Sequence, residues 1–337
     1  MQHAVPSSRV PPVVHLADAH PQPRLLVPWQ KHRRGRALWF IEFVAEAMST
    51  FMYTYAGTGS TATFILGNIL GLSNIGSLLQ IGLAYSLGIM LAMAICLPTS
   101  NGHANPAFTI WGMLIGHVTP VRGLRLIVAQ IVGAYVACLL IYTQYHDLIK
   151  EATEVLQAKD LYDSVMFTSQ GPAGIFGLYA SPTANLGYVF LNEFVCDFVL
   201  AIVIFGCLDP TNAFAPPVAV PWIVGFTYGI IVWGFVPASV ATNAARDLGG
   251  RLAVLSLWGL PASGGRYAAI AALTNIPATI FGGIVYHFIF TDPDRTITPA
   301  SLQLAAATKA YEERGKTDSS SSSVKGDVEY CERVLTK

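Results

Sequence analysis

Six stretches of this chain, roughly residues 37–57, 78–97, 121–145, 187–208, 218–240 and 267–290, are long and mostly apolar. About 20 such residues are what an α-helix needs to cross the hydrocarbon of a bilayer. Lipid offers no hydrogen bonds, so every backbone N–H and C=O must be paired within the protein, and these runs predict helices. The alternating pattern of a membrane β-barrel is absent. Composition points the same way: 12% of residues are charged, against about 25% in a soluble domain. The 20 basic and 20 acidic residues cancel. Nothing clusters positive charge as a nucleic-acid surface requires.

The flanks suggest an orientation. Residues 1–36 hold six prolines and the basic cluster Lys31-His32-Arg33-Arg34-Gly35-Arg36, without the apolar core of a signal peptide. They are expected to be a disordered cytoplasmic tail. Arg122 and Arg125 open the third span, whereas residues 147–163 carry five acids against Lys150 and Lys159 and are expected outside. Six spans then leave both termini cytoplasmic. Loop 209–217 has no Lys or Arg and does not contribute to this argument. The expected organisation is a membrane domain over 37–290, with halves at about 37–146 and 187–290 around an outer loop, 147–186. A polar tail follows over 291–337. It is too poor in apolar residues to fold alone, and its run Ser319 to Ser323 offers phosphorylation sites.

Two segments between the spans do not fit a simple bundle. Residues 99–116 and 239–257 each begin with small polar residues, reach an asparagine, and then turn apolar over a length too short to cross. Asparagine is a strong helix N-cap, and Pro106 suits a first helical position because its missing N–H costs nothing there. Each segment therefore predicts an extended loop leading into a half-helix, from Asn105 and from Asn243. Broken helices persist at membrane depth only where buried in protein or lining a cavity. The halves also correspond: Glu46 lies in the first span and Glu193 in the fourth, 59 and 50 residues before their asparagines. Three spans per half inverts the second copy, an arrangement that transport proteins use.

Asn-Gly-His-Ala-Asn-Pro-Ala (residues 101–107) resembles the first signature of the major intrinsic proteins, the aquaporins and aquaglyceroporins. Asn-Ala-Ala-Arg-Asp-Leu-Gly (243–249) resembles the second. The resemblance covers about 37–290. It implies the aquaporin fold: an all-α membrane protein of six transmembrane helices plus two half-helices in an inverted 3+3 repeat. It also implies a passive channel for water and small uncharged solutes such as glycerol, excluding ions and protons, in the lipid bilayer as a homotetramer. A plasma-membrane location is expected. Asp247 directly after Arg246, the stretch Gly174 to Tyr179, and the long outer loop resemble the glycerol-conducting branch. Ala244 stands where the family normally has proline, which leaves the approach to the second half-helix less fixed.

The resemblance also assigns roles. Asn105 and Asn243, within the motifs Asn105-Pro106-Ala107 and Asn243-Ala244-Ala245, would donate to a molecule in transit. Carbonyls of Gly102, His103, Ala104, Val240, Ala241 and Thr242 would form a ladder of acceptors. Tyr85, Ile231, Val240 and Arg246 would make the selectivity filter, with Ile230 or Val232 as alternatives on span five. Glu46, Glu193 and His103 would brace the loops; Asp197 receives no role. Cys96, Cys138, Cys196 and Cys207 read as packing residues and Cys331 lies in the tail, without metal-ligand spacing. No metal, cofactor or nucleic-acid partner is expected, and no catalytic triad or P-loop appears. An ion-coupled transporter or a structural junction protein on the same fold are the competing readings.

Overall fold

The computed structural model describes residues 13–20, 23–33, 37–236 and 239–320. Every regular element among these residues is helical. In chain order they are α1 (Leu16–Ala19), α2 (Val27–Arg33), α3 (Leu38–Leu70), α4 (Leu78–Ser100), α5 (Pro106–Leu114), α6 (Pro120–Gln144), α7 (His146–Ala158) and α8 (Tyr162–Val165). Then come α9 (Leu186–Leu208), α10 (Val220–Phe235), α11 (Ala244–Trp258), α12 (Tyr267–Leu273), α13 (Asn275–Val285) and α14 (Pro299–Ser320). The described residues of 40–295 form one compact unit; those of 1–39 and 296–337 form another.

Within the larger unit, the expected six spans are α3, α4, α6, α9, α10 and the run α12–α13, with α5 and α11 as the half-helices. By length and apolar composition alone, only four of the six qualify: α4, α6, α9 and 267–290. The first span departs by being longer than expected, since it continues to Leu70 rather than stopping near 57. Small polar residues there lower the hydropathy but keep the helix. Thr58 donates its hydroxyl to Thr54 O and Thr61 to Gly57 O, so the polar groups are satisfied by the preceding turn. The fifth span is shorter than 218–240, with only 16 residues from Val220 to Phe235. The sixth is broken at Thr274, where Pro277 removes a backbone donor and crowds the carbonyl of Leu273.

Pairs of elements repeat across the halves. α10 packs on α4, α13 on α9 and on α5, and α11 on α6. At one end, Glu42 of α3 bonds both Arg122 and Arg125 of α6, at 3.1 and 2.9 Å. The segment joining the halves is folded: α7 buries Ile149, Ala152 and Leu156, and a 3₁₀ turn, Pro172–Ile175, is buried throughout.

The two tails hold helices where composition predicts none. In the smaller unit Asp18 of α1 and Arg314 of α14 form a bidentate ion pair, at 2.8 and 2.9 Å. Residues 1–12 of the proline-rich start, and Ser321 to Ser323, lie outside the described residues.

Candidate functional site

Each half-helix starts as its sequence dictates. Asn105 Oδ1 accepts from Ala107 N at 3.1 Å, and Asn243 Oδ1 from Ala245 N at 2.9 Å and Arg246 N at 3.2 Å. The two caps have nearly the same backbone, with φ of −151° at both and ψ of 127° and 111°. Alanine at 244 therefore starts α11 in the geometry that proline gives α5.

The residue before each cap, Ala104 (φ 49°) and Thr242 (φ 54°), is left-handed, which costs a non-glycine residue about 1–2 kcal/mol. Buried carboxylates hold both in place. Glu46 accepts from Ala104 N and from Gln130 Nε2, each at 2.6 Å, and from Ser100 Oγ at 2.8 Å. Glu193 accepts from Ala241 N and Thr242 N, at 2.8 and 2.7 Å. His103 Nδ1 lies 3.1 Å from Thr109 Oγ1, tying its loop to α5. Asp197, one turn beyond Glu193, is buried, and neither of its oxygens meets a donor among the described residues.

The left-handed turns aim two carbonyls across the repeat. Asn105 Nδ2 donates to Thr242 O at 2.9 Å, and Asn243 Nδ2 donates to Ala104 O at 2.7 Å. The half-helix tips thus meet, each asparagine bonded to the residue preceding the other. Asn275 Nδ2 donates to Asn105 Oδ1 at 3.2 Å and adds a brace from the last span.

Two cavities flank this junction. One, of about 390 Å³, is lined by Tyr85, Ile231, Val232, Val240, Ala241, Thr242 and Arg246, among others. The second, of about 110 Å³, is lined by Gly102, His103, Ala104 and Asn243 among others. All four residues expected at the filter thus share one cavity. Of the two alternatives on span five, Val232 lines it too, while Ile230 is 59% exposed on the outer face of the helix. The six expected ladder residues divide evenly, three to a cavity. Ala104 O and Thr242 O are engaged by the asparagines, and Ala241 O accepts the Thr242 hydroxyl.

Arg246 is buried yet bonded on two sides. Its Nε and Nη2 donate to the Tyr85 hydroxyl, at 3.3 and 3.0 Å, and its Nη1 donates to Phe176 O at 2.7 Å. Close approach makes this possible. A Cβ on Gly57 would overlap the Tyr85 ring, and one on Gly250 would overlap Phe176 O. Asp247 does not pair with Arg246. Its carboxylate takes Nε and Nη2 of Arg251, whose Nη1 and Nη2 also reach Ser263 O and Leu178 O. Two arginines of α11 therefore pin the segment between the halves. Arg251 and Gln130 escaped the sequence reading; the Asp247/Arg251 spacing of four on one helix was the available signal for the first.

The family described as Major intrinsic protein matches this chain over residues 36–274. Aquaporin-3 of Laccaria bicolor is 43% identical over 312 residues, covering 91% of this chain and 94% of that protein. Aquaglyceroporin-2 of Rhizophagus irregularis is 31% identical over 256 residues, covering 74% and 76%. Among solved structures, the aquaglyceroporin from Plasmodium falciparum superposes with a TM-score of 0.62 at 21% identity, covering 74% of this chain and 96% of that one. At that identity the likeness speaks for the fold alone.

Proposed function

This chain belongs to the major intrinsic protein family and is a multi-pass membrane channel, not an enzyme, for water and small solutes such as glycerol; we propose that Tyr85, Ile231, Val240 and Arg246 form its selecting ring and admit glycerol-sized polyols alongside water. The observation that carries this reading is the shared cavity of these four side chains, with Arg246 and the Tyr85 hydroxyl beside aliphatic Ile231 and Val240. The Arg246 guanidinium has five N–H donors. Three bonds go to Tyr85 and Phe176, which leaves donors for solute hydroxyls. Ile231 and Val240 face the carbon chain of the same solute.

Deeper in, each half-helix turns its N-terminus, about half a positive charge, toward the junction. An asparagine amide has two hydrogens. One is spent on the opposite loop, and the second of Asn243, which lines the inner cavity, serves a passing oxygen, while loop carbonyls replace hydration the solute has shed. The fixed positive field and the charge of Arg246 oppose cations and protons. The remaining features of this reading are a plasma-membrane location, cytoplasmic termini and a homotetramer with one passage per subunit.

The test is stopped-flow shrinkage and reswelling of proteoliposomes with glycerol as osmolyte. Wild type should reswell without saturation at low millimolar solute and without sodium or proton dependence, and Val240→Phe should cut glycerol flux more than water flux. Saturable, ion-dependent uptake would instead identify a coupled transporter. Negligible permeability to both solutes would identify a structural role.

A further inference from the structure

The two cavities share only two lining residues, Tyr53 and Tyr228. Tyr53 lies seven residues after Glu46 on α3, on the same helix face. Tyr228 lies three residues before Ile231 on α10, about one turn deeper than the ring. Their ring centroids are 5.9 Å apart at an interplanar angle of 56°, and Tyr53 also meets Tyr85 at 5.4 Å. At that spacing two aromatic rings are in van der Waals contact. Nothing passes between them, so any route from one cavity to the other runs past their edges, beside Thr242 of the first cavity and Asn243 of the second. The rings have little room to swing: Tyr53 and Tyr228 are 4% and 7% exposed. The ring above them, by contrast, is closed on two sides only by Ile231 and Val240.

We propose that Tyr53 and Tyr228 form a fixed aromatic gate between the two cavities, and that this pair sets the upper size limit for polyols. The proposal rests on the reading of the chain as a polyol-admitting channel and deepens it. The outer ring recognises hydroxyls through Arg246; the tyrosine pair below it rejects solutes with a wider or longer carbon chain.

The experiment measures water, glycerol and erythritol permeability of the full chain in proteoliposomes. Tyr53→Leu and Tyr228→Leu shorten the wall and should raise the erythritol-to-water ratio about tenfold, the scale on which a few carbon atoms are discriminated in a pocket. Tyr53→Phe and Tyr228→Phe keep the rings and should leave that ratio unchanged. Tyr228→Trp, which needs no cavity in the core, should lower glycerol flux while water continues to pass, and it stands if a leucine variant does not fold. The gate is overturned if the erythritol-to-water ratio of the leucine variants and the glycerol-to-water ratio of Tyr228→Trp both match wild type. Failure of the outer ring reads differently: Val240→Phe would then leave glycerol flux untouched while the tyrosine variants still move the ratios.

Discussion

The Tyr85 hydroxyl accepts two hydrogen bonds from Arg246, from Nε at 3.3 Å and from Nη2 at 3.0 Å. A bond to a charged group is worth roughly 1.5–3 kcal/mol. Tyr85→Phe keeps the ring against Gly57 but leaves Arg246 anchored on Phe176 alone. Glycerol permeability should fall about tenfold, the rate equivalent of the lower figure, with water flux changing less. Parallel osmotic and glycerol reswelling rates check this.

Ala244→Pro should be tolerated. The position is the first of α11, and the N-cap bonds to Asn243 Oδ1 come from Ala245 N and Arg246 N, not from residue 244. Asn243 is already extended (φ −151°, ψ 111°), as the residue before a proline must be. The substitution should stabilise by about 0.4–1 kcal/mol through the unfolded chain. Thermal unfolding in detergent reads it, with water permeability unchanged.

Asp247 and Arg251 form a buried ion pair, with side chains 0% and 8% exposed. Removing one partner strands the other and should cost about 3–5 kcal/mol. Arg251→Met and Asp247→Asn should each lower the unfolding temperature more than half as far as the double variant does. A purely additive cycle would remove the pair from the account.

Asp209, in the loop after α9, gives a pH dependence. Burial raises its pKa, but bonds from the Thr211 hydroxyl and N–H and from the Tyr286 hydroxyl outweigh burial and leave it below the usual carboxylate value. A depressed folded pKa means the unfolded chain takes up the proton first as pH falls. The stabilisation is therefore complete above the ordinary aspartate pKa, about 3.9, and declines as pH drops toward the lower folded value. Asp209→Asn should flatten the acid limb of a melting-temperature profile measured across this window.

Local chemistry was legible in the sequence. Asn105 with Pro106, and Asn243 with Arg246 three residues on, announced both half-helix starts because a cap needs only neighbours within one turn. Glu46 and Glu193 were legible as acids too costly to bury without a purpose. Their full partner sets were not: Gln130 reaches Glu46 across 84 residues, and no local pattern encodes that. The same holds for Tyr53 and Tyr228, which no sequence motif singles out and which meet only when α3 and α10 are brought together. Hydropathy misjudged the first span because threonine hydroxyls satisfied within their own helix look polar in a residue count. It overran the fifth because α10 ends at Phe235, whereas the sequence stays mostly apolar to Val240.

The crossed bonds of the asparagines carry a consequence for how such a chain assembles. Each half ends its inner turn with one amide and one carbonyl whose mates belong to the other half. A fragment holding only α3 to α6 would leave both stranded in an apolar interior, and so would a fragment holding α9 to α13. Neither is a sound part on its own. The two copies are thus bound to fold as joint products, and a polypeptide nicked between α7 and α8 should regain its native form only when both pieces share the same membrane.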